Sequence, residues 1–377
     1  MFIDFQEHNK YGKMGWRSDN LKKLSLFILL FLLYNGVVLY LGWNVYEFLG
    51  IDAVEIFSII WIIWAYSLLI GMISRKLSVF QVAGYYWFAF VQYGLMLFPI
   101  ANLFIWIAPA NFERAIEWII FALMIIIFAI GIYRAYSPVT RKLTIEMKND
   151  LKAGEELKVV IGSDFHFGPV MGKGQLEKFV RKSNAENADL VFLAGDLVDD
   201  IPYWYMKHQL KDTMRELKST YGVFGILGNH EYYGKQIPET VYQMEQSNIK
   251  MLLDETIEIP GVCMITGRED ITNKSRKKLE DLKVDNGLPW LIMDHTPTDI
   301  DTPAQLAADL QVSGHTHRGQ MWPNQLITKR TFPLDYGYVQ KGSLHAITTS
   351  GFGFWGPPLR TNSRAELWAV TIKFTKA

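Results

Sequence analysis

The hydrophobic positions of this 377-residue chain are concentrated in its first third, where they form four long runs. The runs contain no Asp, Glu, Lys or Arg and cover residues 24–43, 56–73, 77–112 and 118–133. Their apolar residues are not confined to one helical face, as they are in the amphipathic helices of soluble proteins. Because about 20 helical residues cross a bilayer core about 30 Å thick, the pattern predicts an α-helical transmembrane region of about four helices within residues 1–137.

The third run is longer than a single span requires, and it contains Pro99. We predict that it crosses the bilayer as far as about Phe98. From there it is expected to continue as an interfacial or re-entrant piece to Trp106.

Basic and acidic residues alternate between the loops that separate these runs. Lys and Arg occur in the N-terminal tail, after the second run and after the fourth, at Lys10, Lys13, Arg17, Lys22, Lys23, Arg75, Lys76, Arg134, Arg141 and Lys142. The other two loops are acidic, and Arg114 is their only base. Since loops rich in Lys and Arg stay on the cytoplasmic side, both termini and everything after Tyr133 are predicted to be cytoplasmic. The chain is thus expected to be a multi-pass protein of the cell membrane.

From residue 138 onward, short β-type runs alternate with helical ones, which predicts an α/β domain over residues 138–377. Five of the strand-like runs end just before a polar side chain: Asp164, Asp196, Asn229, His295 and His315. Ligand sites in α/β sheets form at the carboxyl ends of the strands. We therefore expect these five side chains to meet at one edge.

Composition narrows the possible chemistry. Half of the residues are hydrophobic and the mean hydropathy is +0.08, which fits a chain with a membrane part and a soluble part. The formal net charge is zero, so no overall field favours a nucleic-acid partner. Cys263 is the single cysteine. A thiolate zinc site is therefore excluded, and any metal must be held by oxygen and nitrogen ligands.

Within residues 138–377, five short segments contain most of the side chains that could bind a metal ion. They are Asp164-Phe-His166, Gly195-Asp196-Leu-Val-Asp199, Gly228-Asn229-His230-Glu231, Asp294-His295 and Gly314-His315-Thr-His317. Asp, His and Asn side chains suit borderline divalent ions such as manganese, iron and zinc. Residues two apart on a strand face the same way, so each Asp-x-His or His-x-His pair is expected to converge on one point.

In their order and spacing, these segments resemble the calcineurin-like metallophosphoesterase family, whose pattern is D-x-H, G-D-x-x-D, G-N-H-(D/E), a lone His and G-H-x-H. The resemblance covers residues 138–377. Gly319-Gln320 and residues 351–358 are similar to the membrane-anchored bacterial branch. The resemblance implies a four-layer α-β-β-α sandwich with the metal site at the strand ends.

The resemblance also implies a role for each residue of a centre with two divalent ions. Asp164, His166 and His317 would hold one ion. Asn229, His295 and His315 would hold the other, and Asp196 would bridge the two. Manganese is favoured, with iron and zinc as alternatives. A hydroxide bridging the ions would attack phosphorus, because divalent ions lower the pKa of bound water.

Three further residues complete the expected site. By the same resemblance, His230 contacts the phosphate and assists the leaving oxygen, and Asp199 is its carboxylate partner. Arg318 is the candidate substrate-binding group. Protein serine/threonine phosphatases of this superfamily have Asp-Arg-Gly where this chain has Asp199-Asp200-Ile201, which argues against a phosphoprotein substrate.

These observations predict a membrane-anchored hydrolase of phosphate esters. A membrane tether concentrates an enzyme near lipids, so a lipid-linked phosphodiester is the favoured substrate, with soluble nucleotides as the nearest rival. No protein partner can be predicted. A non-catalytic, metal-dependent membrane sensor or scaffold is the alternative from another class, and the complete ligand set favours the enzyme. Residues 351–356 match a dinucleotide-binding fingerprint, but Pro357 and Pro358 follow where that fold needs a helix.

Overall fold

The computed structural model describes the backbone of residues 7–376 and the side chains of residues 21–376. Lys10, Lys13 and Arg17, on which the predicted orientation partly rests, lie outside the described side chains. The chain forms two compact units, Met1–Met124 and Ile125–Ala377. The second unit begins within a helix, and the domain boundary predicted between residues 137 and 138 stays a prediction.

The first unit is helical. Its elements are α1 (Glu7–Leu49), α2 (Val54–Ala65), α3 (Ser67–Ile73), α4 (Ser78–Ile107) and the first half of α5 (Glu113–Tyr136). Three described stretches are long and apolar enough to cross a membrane: Leu21–Leu49, Arg75–Ile107 and Ala110–Tyr136. The bent pair of α2 and α3 makes a fourth if it is one span. The length and apolar composition of these helices therefore confirm the predicted region of about four helices.

Two details of these helices differ from the prediction. The run over residues 56–73 is not one straight helix, because α2 and α3 meet at Tyr66 with a bend of 57°. The helix α4 continues through Pro99 to Ile107 without a break at Phe98. Proline removes one hydrogen bond from a helix, and transmembrane helices tolerate this loss where neighbouring groups satisfy the freed carbonyl.

The interior of the first unit contains the large aromatic side chains of Trp61 and Trp87, and large apolar side chains, both aliphatic and aromatic, cover its outside. The indole N–H groups of Trp61 and Trp64 donate to the backbone carbonyls of Val38 and Ala83 at 2.9 and 3.0 Å. Buried indoles need such partners, because an unpaired polar group inside an apolar region is costly. The outward-facing apolar surface is what a bilayer, rather than water, would solvate.

The second unit contains twelve strands and seven further helices within the described residues. The strands are β1 (Val139–Lys148), β2 (Glu156–Gly162), β3 (Leu190–Ala194), β4 (Gly222–Ile226), β5 (Ile249–Met251), β6 (Glu255–Ile259), β7 (Cys263–Gly267), β8 (Trp290–Met293), β9 (Leu310–Ser313), β10 (Gly337–Lys341), β11 (Leu344–Thr348) and β12 (Glu366–Thr375). The helices are α6 (Lys173–Ala185), α7 (Tyr203–Lys207), α8 (Leu210–Met214), α9 (Asn229–Gly234), α10 (Ile237–Glu245), α11 (Asp301–Gln305) and α12 (Gln325–Thr331).

The strands form two six-stranded mixed sheets that pack face to face. Their orders are β1-β12-β2-β3-β4-β5 and β10-β11-β9-β8-β7-β6. Successive residues of β2 alternate between two cores: Val159 and Ile161 belong to the core between the sheets, and Val160 belongs to the core under α6. Shorter elements cover the second sheet, around Leu279 and Ala308. The predicted α-β-β-α order is confirmed, and it buries both faces of each sheet.

Candidate metal centre

The predicted metal ligands follow the carboxyl ends of five strands. In the first sheet β2, β3 and β4 are parallel neighbours, and in the second sheet β8 and β9 are parallel neighbours. Each of these strands is followed two or three residues later by a ligand candidate: Asp164, Asp196, Asn229, His295 and His315. Parallel neighbouring strands end at the same edge of their sheet. The strand order therefore brings all five side chains to one edge of the sandwich.

Hydrogen bonds between the loops fix them relative to one another. Within the first sheet, the backbone N–H of Asp164 donates to the carbonyl of Gly195 at 3.0 Å, and that of His166 donates to the carbonyl of Asp196 at 3.0 Å. Between the sheets, the N–H of His315 donates to Asp164 Oδ1 at 2.8 Å. The site is therefore one connected network built from both sheets.

The side chains form two groups with Asp196 between them. Asp164, His166 and His317 make the first group, in which the His166 and His317 Nε2 atoms lie 3.1 Å apart. Asp196, His295 and His315 make the second. Asp196 Oδ2 is 3.1 Å from His295 Nε2 and 3.7 Å from His166 Nε2, so it faces both groups.

Asn229 completes the set of seven predicted ligands. Its Oδ1 lies 2.7 Å from the Nδ1 atom of His315, inside the second group. The structure thus brings together all seven side chains that the sequence singled out as metal ligands.

The surroundings of the buried ring nitrogens show that this donor set fits divalent ions. His295 points Nδ1 at the carbonyl of Ala194 at 2.7 Å and turns its buried Nε2 to Asp196 Oδ2 at 3.1 Å. His166 Nδ1 is buried without a hydrogen-bond partner. Buried polar atoms are nearly always satisfied, so exceptions need an explanation such as an ion. Four imidazoles, two carboxylates and one amide are ligands that manganese, iron and zinc accept.

The ionisation states also suit metal binding. Burial holds the pKa of His166 and of His317 well below the usual value, helped by positive charge on neighbouring groups including Arg360. Burial would raise the pKa of Asp196, but the adjacent His295 and His166 outweigh it and hold the pKa well below the usual value. His166 and His317 are therefore neutral beside an ionised Asp196, which is the form that binds cations. Burial lowers the pKa of His295, but the carboxylates of Asp196 and Asp164 hold that pKa well above the usual value, so this imidazole must release a proton before it binds an ion.

The backbone of the ligand loops is strained in a way that the sequence did not predict. We expected Asp164 and His166 to share one face of a strand, but both lie beyond β2 with φ of 53° and 47°. Asp196, His315 and His317 also have positive φ, at 51°, 69° and 47°. Such left-handed conformations cost residues with a Cβ about 1–2 kcal/mol each, and they cluster where surrounding structure holds functional groups in place. The pairs converge through these turns and not through strand alternation.

Two glycines make room for the carboxylates. A Cβ at Gly228 would lie 2.1 Å from Asp196 Oδ1, and a Cβ at Gly314 would lie 2.4 Å from Asp164 Oδ2. Real Cβ atoms do not approach oxygen so closely. A side chain at either position would therefore push a ligand out of place, as expected for glycines that allow close backbone approach.

His230 lies beside the cage and contacts a carboxylate that the sequence analysis did not single out. Its Nδ1 is 2.7 Å from Asp200 Oδ1 and 3.8 Å from Asp199 Oδ1. Burial lowers the pKa of His230, but the hydrogen bond to Asp200 and the charges of Asp196 and Asp199 raise it to about 9. Asp200 makes the shorter contact with His230, and the role predicted for Asp199 as the partner of His230 stays a prediction.

Glu231 connects two of the ligand loops, and its role was not predicted. Its buried carboxylate accepts from the backbone N–H of Val198 at 2.9 Å and of Gly228 at 2.7 Å. These bonds tie the loop of Asp196 to the loop of Asn229. The spacing of Glu231 three residues after Gly228 is a capping-box signal that could have revealed this bond.

The candidate substrate-binding residue Arg318 and the two arginines Arg268 and Arg360 have different surroundings. Arg318 is half-buried, and its guanidinium stacks on the ring of Tyr336 at 4.5 Å from the ring centre. Arg268 is bound to the buried Asp294 at 3.0 Å. Arg360 is fully buried, and its Nη2 lies 3.1 Å from His317 Nδ1. Arg318 thus stays available to an anion, whereas Arg360 orients a ligand histidine.

Comparison with known proteins agrees with this geometry. The model of the calcineurin-like phosphoesterase family matches residues 157–319. A protein of Aquifex aeolicus described as an uncharacterized metallophosphoesterase is 32% identical over 264 residues, which are 66% of this chain and 98% of that protein. The chain belongs to the calcineurin-like phosphoesterase family.

Other relatives share less of their length with the chain. An uncharacterized metallophosphoesterase of Campylobacter jejuni is 30% identical, with 64% of each protein covered. A protein of Bos taurus named a transmembrane protein with metallophosphoesterase domain is 27% identical over 58% of this chain and 53% of that protein. The chain therefore spans less than two thirds of these relatives. Together with the three or four apolar helices, the transmembrane relatives indicate a membrane protein.

Proposed function

We propose that this protein is a membrane-anchored hydrolase of phosphate esters that works with two divalent ions, manganese being favoured. Asp164, His166 and His317 would hold one ion, and Asn229, His295 and His315 the other. Asp196 would bridge them. The observation that carries this proposal is the convergence of all seven side chains at one edge of the sandwich, where His166 Nδ1 is buried without a hydrogen-bond partner. Bound there, the ions would supply Lewis-acid activation of water and neutralise charge on the phosphoryl oxygens.

The chain's own residues supply the remaining chemistry. His230, cationic through its contact with Asp200, lies with its ring centre 4.6 Å from that of His166. From this position it would donate a hydrogen bond to a phosphoryl oxygen and its proton to the leaving oxygen. Asp199 would add negative charge that keeps the imidazole protonated. A positioned general acid of this kind contributes roughly 10²–10⁴-fold to a rate.

We further propose that residues 138–377 form the catalytic domain and lie on the cytoplasmic side, following the distribution of Lys and Arg. Residues 1–137 would anchor it in the cell membrane by several passes. A lipid-linked phosphodiester is the favoured substrate, because the anchor places the site beside lipids, and Arg318 would bind its charged part.

The test is hydrolysis of bis(p-nitrophenyl) phosphate by the detergent-purified full chain with added Mn²⁺. The Asn229→Ala variant should lose one ion per chain together with activity. The His230→Ala variant should keep both ions and lose rate. The variant Arg330→Gln, on the exposed end of α12, serves as the control. Full activity in both site variants would overturn the assigned roles.

The same preparation addresses the substrate and the non-catalytic alternative. A short-chain lipid phosphodiester in micelles and a cyclic nucleotide are assayed side by side. Faster turnover of the lipid supports the favoured substrate, and faster turnover of the nucleotide contradicts it. Two bound ions without turnover of any substrate would indicate a metal-dependent sensor or scaffold instead of an enzyme.

A further inference from the structure

A second concave site in the unit formed by residues 125–377 is lined by four arginines. We call it the arginine pocket, and define it by Arg134, Arg141, Arg318 and Arg364 together with Tyr336 and Asn362. Its cavity volume is about 260 Å³. Pockets for whole drug-sized ligands measure roughly 300–1,000 Å³, so this one suits a single small group.

The charge of the arginine pocket is largely uncompensated. Arg141 pairs with the buried Glu366 at 3.0 Å. Within the part of the chain that the structure describes, no ion pair with a carboxylate is formed by Arg134, Arg318 or Arg364. With one carboxylate for four guanidinium groups, the net charge of the arginine pocket is +3. Guanidinium groups stay protonated in proteins, so only an anion can balance this charge.

The other three arginines are held by uncharged partners, which leaves some of their N–H donors free. Arg134 Nη1 donates to the carbonyl of Thr361 at 2.7 Å, and Arg364 donates to the carbonyl and hydroxyl of Ser137, both at 2.7 Å. The Arg318 guanidinium has only its stacking contact with Tyr336 among the described residues. Because Arg presents its N–H groups as a planar fork that matches phosphate oxygens, these free donors favour a phosphate group.

The arginine pocket lies at the edge of the sandwich that carries the metal centre. Arg318 directly follows the ligand candidate His317. The pocket residue Ser350 follows β11, whose parallel neighbour β9 leads to His315. Arg134 lies in the last turn of α5, at the end of the apolar stretch Ala110–Tyr136. Basic residues at the end of a membrane helix attract the phosphates of anionic lipids.

From this charge, volume and placement, we infer that the arginine pocket is a second binding site, which takes a phosphate group independently of the metal centre. The group can come from the headgroup of an anionic phospholipid or from a soluble phosphate. This inference goes beyond the proposed hydrolysis, because it concerns binding alone and requires no ion at the metal centre.

The experiment measures binding of radiolabelled inorganic phosphate to the full chain in detergent, by equilibrium dialysis. EDTA is present so that the metal centre cannot hold phosphate through ions. The Arg318→Gln variant should bind on the order of tenfold more weakly, because it loses hydrogen bonds to a charged group. The Arg134→Gln variant should weaken binding as well. Arg330→Gln removes one exposed positive charge outside the pocket and should bind as wild type does.

The choice of variants separates loss of binding from loss of folding. Among the described residues the Arg318 guanidinium has only its stacking contact with Tyr336, so the thermal midpoint of the Arg318→Gln variant should match that of wild type. Equal phosphate affinity in wild type and Arg318→Gln would overturn the inference, as would the absence of saturable binding. Because no turnover is measured, either result leaves the proposed metal-dependent hydrolysis untouched and bears only on the anion-binding role proposed for Arg318.

Competition then identifies the source of the phosphate. Dihexanoyl phosphatidylglycerol and glycerol phosphate are each used to displace the labelled phosphate, with dihexanoyl phosphatidylcholine as the zwitterionic control. Tighter displacement by the anionic lipid assigns the pocket to a lipid headgroup. Equal displacement by glycerol phosphate assigns it to a soluble phosphate. Displacement by neither anion in wild type would contradict a phosphate site.

Discussion

The metal centre and the arginine pocket share one edge of the sandwich but are built in opposite ways. The metal centre consists of short side chains that are almost all buried, and five of its seven ligand candidates have a positive φ. The arginine pocket consists of long side chains that are partly exposed and come from α5, β1 and two separate loops. Ions demand ligands at fixed short distances, whereas a phosphate group can be reached by flexible arginines.

This difference predicts how each site responds to substitution. In the metal centre, the carboxylates and imidazoles contact one another, so removing one ligand should disturb the others. In the arginine pocket, no guanidinium group is hydrogen-bonded to another among the described residues: Arg134 is held by a backbone carbonyl, Arg318 by a ring contact and Arg141 by the Glu366 carboxylate. We therefore expect large, metal-dependent effects at the first site and smaller, metal-independent effects at the second.

The largest effect is expected for Asp196→Asn. Asp196 faces both groups of ligands, and the amide would remove the negative charge between two cations. Substituting even an outer partner of a metal ligand typically costs about 10–100-fold in affinity or activity, so this variant should lose on the order of 100-fold or more. Metal content per chain and turnover are measured, with the exposed Asp212→Asn as the control. Two tightly bound ions in Asp196→Asn would contradict the bridging role.

The paired variants Asp200→Asn and Asp199→Asn test the partner of His230. Asp200 makes the short contact, so its variant should lose about tenfold or more in turnover, as expected for a hydrogen bond to a charged group. Because Asp200 helps to raise the pKa of His230 to about 9, its removal lowers that pKa. His230 then loses its proton at a lower pH, and the alkaline limb of the kcat/KM profile should move down. If the alkaline limb moves further in Asp199→Asn than in Asp200→Asn, the result would instead support Asp199 as the partner of His230.

Metal affinity should increase with pH because His295 must release a proton. Burial lowers the pKa of His295, but Asp196 and Asp164 outweigh it and hold the pKa well above the usual value in the ion-free protein. A bound ion needs the Nε2 lone pair, so one proton leaves and affinity should rise by up to about tenfold per pH unit. Calorimetry of Mn²⁺ binding in two buffers of different ionisation enthalpy counts this proton. Affinity that does not depend on pH would show that His295 is already neutral.

The sequence predicted which side chains converge at the strand ends, because candidate metal ligands follow a local pattern. Asp164, Asn229 and His317 were found because ligand types recur at fixed spacing after strands. The sequence favoured Asp199 as the carboxylate partner of His230, whereas Asp200 makes the shorter contact, because the two residues are adjacent and only the loop conformation decides which one lies closer. The left-handed backbone of the ligands was missed for a similar reason, because residue types alone do not distinguish a strand end from a turn.

Features that depend on long-range packing left no pattern to detect. Arg134 and Arg364 meet in the arginine pocket although they are far apart in the sequence, and no spacing links them. The bend between α2 and α3 lies in an uncharged run without proline, so nothing local marks Tyr66 as the break. The strands were predictable because each short segment alternates or is wholly apolar, whereas their arrangement in two sheets was implied by the family resemblance.

The smallest effect is expected for Arg318→Gln in a turnover assay with an anionic lipid phosphodiester. If the arginine pocket holds a charged part of this substrate away from the reacting phosphorus, it binds the ground state and the transition state equally. Loss of such uniform binding raises KM and leaves kcat unchanged. We expect KM to rise by roughly tenfold or less, the factor for one charge-assisted hydrogen bond. Bis(p-nitrophenyl) phosphate, which has no second charged group, should be turned over as by wild type. A fall in kcat with both substrates would place Arg318 in the metal centre and remove the distinction between the two sites.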